Sequence, residues 1–158
     1  MYSKDEAKQL MVDFWNGFNN YTKYFARKKG EPVEWLLYKT GIKGLELKFD
    51  LDKRGVRTVL ESNSRDESRR LDIFIELEKY KVILEQGFDN GLNWTDDHHL
   101  DVGKPVMRIS TQLENVTFHN RDNWPQLFEF MANTMWQLQQ NFVEILPILE
   151  EKFKYPTL

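Results

Sequence analysis

Leu45, Leu47, Phe49 and Leu51 alternate with Glu46, Lys48 and Asp50. Strand side chains point to opposite faces with a period of two, so this run predicts a strand with one oily and one charged face. Such a strand belongs in an antiparallel sheet covered on one side only. Asp52-Lys53-Arg54-Gly55 reads as a short hairpin turn. Val56 to Ser62 then returns, with Arg57, Val59 and Glu61 on one face and Val56, Thr58 and Leu60 on the other. Upstream, Trp35-Leu36-Leu37-Tyr38 reads as a short apolar strand, linked through Lys39–Gly44.

Helical spacing surrounds this meander. Ala7, Met11, Phe14, Phe18, Tyr21 and Phe25 recur every three or four residues and form one stripe, widened by Trp15. Ser3 and Glu6 fit a capping box at its start, and Gly30 with Pro32 ends it. A second helix is predicted from Arg65 to about Glu85, with Leu71, Phe74, Ile75, Leu77, Ile83 and Leu84 inside. Leu92–Thr95 predicts a short strand, Asp96–Lys104 a polar loop and Val106–Leu113 a fifth strand, after which Val116–Phe118 extends the sheet or forms an edge piece. The last helix starts from an Asp122 or Asn123 cap and carries Leu127, Phe128, Met131, Met135, Leu138, Phe142 and Leu149, with Pro147 expected to kink or split it. The order is helix, three strands, helix, two strands, helix. It predicts an α+β fold over residues 1–158 as one domain: about five mostly antiparallel strands with three main helices packed on them.

Composition narrows the chemistry. An aromatic share of 14% within a hydrophobic share of 41% argues for a packed core rather than disorder. With no cysteine, disulfides, zinc-thiolate sites and thiol nucleophiles are excluded. A net charge of −3 does not suit wholesale coating of nucleic acid but leaves room for a local basic patch. The polar start after Met1 and the lack of a spanning apolar run make a cytoplasmic protein without a membrane partner the expectation.

Three groups of residues carry candidate chemistry. Glu46-Leu47-Lys48 is an E-x-K on a strand. In a restriction-type nuclease such a strand holds Mg²⁺ or Mn²⁺ by carboxylates while the lysine assists the attacking water, and Glu61 is the candidate second acid. The same pattern also describes a solvated strand face, for which no cofactor is required. Asp97, His98 and His99 concentrate possible metal ligands in the expected polar loop, without the helical spacing that makes histidines converge on one ion. Finally, Lys39 and Lys43 flank glycines in the Lys39–Gly44 turn. Together with Lys48, Arg57 and Arg108, if these share a sheet face, they form a candidate phosphate-contacting surface. Arg65, Arg69 and Arg70 add positive charge at the start of a helix, the end where acids are favoured, which hints at a role beyond helix stability.

Phe14-Trp15-Asn16-Gly17-Phe18, Tyr38-Lys39-Thr40-Gly41-Ile42-Lys43-Gly44 and Asp122-Asn123-Trp124-Pro125 resemble an uncharacterised bacterial domain family over nearly the whole chain. Members of that family occur alone or C-terminal to a domain like a restriction-type nuclease. The resemblance implies an accessory role near nucleic acid or a nuclease-type partner and supplies no catalytic residues. Three expectations follow. The first is a non-enzymatic module binding nucleic acid or a nucleic-acid-processing partner. The second is a metal-dependent nuclease. The third is a homodimeric interaction module using the surplus Trp124, Trp136 and Phe142 of the last helix.

Overall fold

The computed structural model describes residues 2–35 and 39–153. Helix α1 spans Lys4–Lys29. Its N-terminus is closed by Ser3, whose hydroxyl accepts from the Glu6 amide at 3.1 Å. At its other end Gly30 takes φ 80° and donates to the Ala26 carbonyl, the left-handed cap that glycine adopts without a Cβ penalty. The apolar stripe becomes the buried side, with Leu10, Phe14, Phe18 and Phe25 in the core.

Strands β1 (Leu45–Asp52) and β2 (Gly55–Ser62) form the predicted hairpin. Asp52 pairs with Gly55, leaving Lys53-Arg54 as the turn. The Asp52 carboxylate accepts from the Arg54 and Gly55 amides and fixes that turn. A side chain at Gly55 would run into the Leu113 carbonyl of the next strand. Strands β3 (Asn93–His99) and β4 (Pro105–Glu114) complete a four-stranded antiparallel sheet of order β1-β2-β4-β3 among the described residues. Five strands were expected. Of these, Trp35–Tyr38 lies outside the described residues except for Trp35; beyond the five, Val116–Phe118 neither extends the sheet nor forms an edge piece. Its carbonyls serve the next helix instead, Thr117 accepting from the Asn123 amide side chain and Phe118 from the Trp124 indole.

Two further expectations are corrected. Asp96–His99 is strand rather than loop, because β3 continues past Thr95 through a register shift between Thr95 and His98. The second predicted helix is two: α2 (Glu67–Glu78) and the single turn α3 (Lys81–Leu84). At the break Lys79 and Tyr80 donate to the Glu76 and Leu77 carbonyls, a tightened last turn, and the buried Asn141 side chain closes the far end of α3 by donating to the Leu84 and Gln86 carbonyls. Helix α4 (Trp124–Phe153), entered through a 3-10 turn at Arg121–Asn123, runs past Pro147 without splitting. Ile145 and Leu149, both fully buried on either side of the proline, hold it in place.

Register sets the faces. Leu47 pairs with Leu60, and Leu60 with Ile109. These three are buried in the core cluster with α1, α2 and α4. On this side Thr58 meets Thr134 of α4 at 2.7 Å, and the Ser62 hydroxyl donates to the Arg70 carbonyl of α2. The described helices therefore pack on one face of the sheet, and the charged positions fall on the other. No helix among the described residues is long and apolar enough to cross a membrane.

Candidate functional site

The face opposite the described helices carries Glu46, Lys48, Asp50 and Asp52 from β1, Arg57 and Glu61 from β2, and Arg108 and Glu114 from β4. They form one ion-pair network. Glu61 pairs with Arg108 across the β2–β4 register at 2.9 Å and with Lys48 at 3.0 Å. Asp50 lies 3.0 Å from Arg108 and 3.1 Å from Arg57. Arg57 reaches Glu114 at 2.9 Å, and its Nη2 lies 2.8 Å from Asp52, off hydrogen-bond alignment, so that last contact is Coulombic rather than directional. Glu46 touches Lys48 at 3.7 Å. Glu61 and Arg108 retain only 1% and 5% of their exposure, which makes theirs a buried pair.

Lys48, Arg57 and Arg108 thus do share a face, together with five carboxylates that neutralise them. Phosphate would have to displace these acids, so this face is poorly disposed to hold a nucleic-acid backbone. The E-x-K pair and Glu61 also come together. Yet both Glu61 oxygens are occupied, one by Arg108 and the other by Lys48 and Asn63. A divalent cation would compete there with a guanidinium already in place.

Titration follows from the geometry. Burial pushes the Glu61 carboxyl up, but hydrogen bonds and charge from Arg108 and Lys48 pull it below its ordinary 4.5. Burial likewise opposes, and Arg108 with Arg57 overcomes, at Asp50, which ends below 3.8. Asp52 is also lowered: burial again pushes up, while the Arg54 amide and Arg57 pull down more. His98, turned toward Arg108, is held below 6.5 by burial and then by the Arg108 charge, against Asp50 and Glu61, which raise it. In all four groups the folded value lies below the unfolded one. Their contribution is therefore complete above the ordinary value and is lost as pH falls through the depressed one. The urea midpoint, followed by tryptophan fluorescence, is expected to hold from pH 8 to 7, soften below about 6.5 as His98 is forced to protonate, and fall further below about 4.5. A midpoint unchanged between pH 7 and 3.5 would contradict the network.

Asp97, His98 and His99 do not converge. On a strand adjacent residues diverge: His98 pairs with Val106 on the network side, while His99 pairs with Pro105 and meets the exposed Asp97 at 3.5 Å. No cluster of three potential ligands is found among the described residues. The aromatic surplus of α4 is likewise absorbed. Phe142 is fully buried, Trp124 is bonded to Phe118, and Trp136 packs on Phe25 beneath Lys29.

A different cationic group gathers at the end of the sheet where β2 finishes and β1 and β4 begin. In the Lys39–Gly44 turn, Thr40 accepts from the Ile42 amide and donates to the Leu45 carbonyl, leaving Lys39 and Lys43 exposed. Arg69 donates twice to the Lys43 carbonyl, at 3.1 and 3.0 Å. It also donates to the Phe153 carbonyl at 2.7 Å, a cation at the negative end of α4. A cavity of about 610 Å³ opens here, lined by Lys43, Arg65, Arg69 and Lys104, with Asp66 as the one acid among the described residues. The Asp66 carboxylate accepts from the Ser68 amide as the N-cap of α2. Among the described residues, no carboxylate pairs with Lys43, Arg65 or Lys104. Lys104 escaped the sequence reading because nothing local marks it; the β3–β4 turn brings it across.

A family model matches residues 10–146. The chain belongs to DUF4268, a domain of unknown function. No curated protein and no solved structure matches it. The DUF4268 span takes in the whole sheet, the ion-pair network and the cationic cavity, and ends within α4 just before Pro147.

Proposed function

We propose that this DUF4268 domain is a non-enzymatic accessory module that binds nucleic acid through the sugar–phosphate backbone. The backbone lies along Lys39, Lys43, Arg65 and Lys104 at the end of the sheet, with Lys48, Arg57 and Arg108 on the adjoining face held by their own acids. The observation that carries this reading is the contrast in pairing: the cations lining the 610 Å³ cavity lack carboxylate partners among the described residues, whereas those of the sheet face have them. Unpaired exposed cations gathered on one surface are what releases counterions from a phosphate chain. A bacterial setting and a nuclease-type protein partner are what the family resemblance implies, and a cytoplasmic one is what the polar start and the lack of a spanning apolar run suggest.

The test is fluorescence anisotropy with labelled single- and double-stranded DNA and RNA. Four phosphate contacts predict an affinity loss of roughly 100-fold between 50 and 200 mM salt. Lys43→Glu with Lys104→Glu is expected to weaken binding at least as much, and Arg57→Gln far less. Binding indifferent to salt and to the double reversal would sink the proposal.

A restriction-like nuclease using Mg²⁺ or Mn²⁺ is the second reading, favoured by the meeting of Glu46, Lys48 and Glu61. It requires metal-dependent cleavage that Glu46→Gln abolishes.

A further inference from the structure

The proposed backbone contacts leave one buried cation unused. Arg70 is only 8% exposed, with its position fixed by the Ser62 hydroxyl bonded to its carbonyl. Its guanidinium makes one hydrogen bond, from Nη1 to the Ser64 carbonyl at 2.9 Å, out of five N–H groups available. Among the described residues no carboxylate pairs with it. The other buried guanidinium, Arg108, meets two carboxylates. The nitrogens of Arg70 that make no hydrogen bond stay open to solvent rather than sealed in the core, and with Ser64, Arg65, Lys104 and Pro105 they line a cavity of about 330 Å³ next to the larger one. Arg65 and Lys104 line both cavities.

We infer that the Arg70 pocket binds a phosphomonoester dianion. A monoester carries about −1.5 to −2 near pH 7 and offers three terminal oxygens, whereas a backbone diester carries a single charge and two. Two guanidinia and an ammonium around one pocket match the higher charge, and the planar guanidinium takes two oxygens at once. A buried arginine is reached by a group at the tip of a molecule more readily than by a chain passing over the surface. The inference rests on the proposed nucleic-acid reading only for the source of the dianion, which is the phosphorylated end of a strand. A small phosphate ester is the other source of the same chemistry.

The experiment compares one single-stranded oligonucleotide with and without a terminal phosphate at moderate salt. Alongside it, inorganic phosphate is titrated into the full chain while the arginine Nε–H signals are followed by NMR. The phosphorylated strand is expected to bind at least tenfold tighter. That preference should vanish in Arg65→Gln, an exposed change that spares the fold, and in Arg70→Met, whose folding is checked by circular dichroism. Phosphate should shift the Arg70 signal. Equal, salt-sensitive binding of both strands with an unmoved Arg70 signal overturns the pocket and leaves the backbone-binding module standing. Binding of neither strand with a shifted Arg70 signal overturns the nucleic-acid reading and assigns the pocket to small phosphate esters. A tenfold preference that survives both substitutions places the dianion elsewhere and overturns the inference.

Discussion

Replacing Arg108 with methionine is expected to destabilise the fold by about 3 kcal/mol, and replacing Glu61 with leucine by a similar amount, while the double replacement costs about 1 kcal/mol. The asymmetry comes from burial. Glu61 and Arg108 are almost wholly removed from water, so each depends on the other for charge compensation. Removing one partner strands the other, whereas removing both leaves an apolar pair beside the already buried Val59. The loss for either single variant sits at the lower end of the usual range because Lys48 still reaches Glu61 and Asp50 still reaches Arg108. For a chain of this size, 3 kcal/mol corresponds to a melting temperature lower by roughly 6–12 °C. Thermal melts of the four proteins form a double-mutant cycle, and a coupling of about 5 kcal/mol, the two single losses less that of the double, is the expected result. Additive losses would mean that the two residues act independently and that the network is a surface decoration. The cycle also bears on function. If the double variant keeps its fold and still binds nucleic acid, the network is architectural, and binding resides at the end of the sheet.

The pattern of the chain exposed the face but not the network. The alternation from Leu45 to Leu51 was enough to place Glu46, Lys48 and Asp50 together on a charged side, and the caps at Ser3 and Gly30 were legible as short local signals. Which acid meets Arg108 depends on the register between β2 and β4, and a slip of one residue would send Arg108 to the core face. No local signal carries that register across the sequence separation of 47 between Glu61 and Arg108. Strand β3 was read too short because its outer half, Asp96 to His99, is polar on both sides, as an edge strand can be, and so shows no period of two. The break between α2 and α3 has no glycine or proline to announce it; it is a tightened turn in which Lys79 and Tyr80 donate to the Glu76 and Leu77 carbonyls, and the Asn141 side chain that then closes α3 comes from α4. The cationic cavity is the extreme case. Lys43, Arg65 and Lys104 come from three separate connections that the sheet brings to one end. Lys43 in its glycine-flanked turn and the misplaced positive charge at the start of α2 pointed toward it separately, and nothing local joined them.

An aromatic stripe such as that of α1 can serve the core or a partner surface, and Phe18→Ala separates the two. Phe18 has no exposed surface. Its ring lies 5.2 Å from Phe49 of β1, 5.7 Å from Phe128 of α4 and 6.4 Å from Trp35. It therefore joins α1 to the sheet, to the central helix and to the segment entering the sheet, and Trp35 is itself tied to α4 by its indole bond to Gln139 at 2.7 Å. Truncation removes a large buried ring and leaves a cavity that three separate elements would have to move to fill, so the expected cost is about 3–5 kcal/mol. That is a fall in melting temperature of roughly 6–20 °C. Tyr24→Ala, on the same helix but 51% exposed, is expected to cost under about 1 kcal/mol. The pair of variants shares a helix, so propensity effects largely cancel, and their difference reports packing alone. A small loss for Phe18→Ala, comparable to that for Tyr24→Ala, would mean that α1 is loosely docked and that its aromatic face is available to a partner. A large one fixes α1 as the wall that keeps Phe49 and β1 in place, and β1 in turn sets the position of Lys43 at the mouth of the cationic cavity.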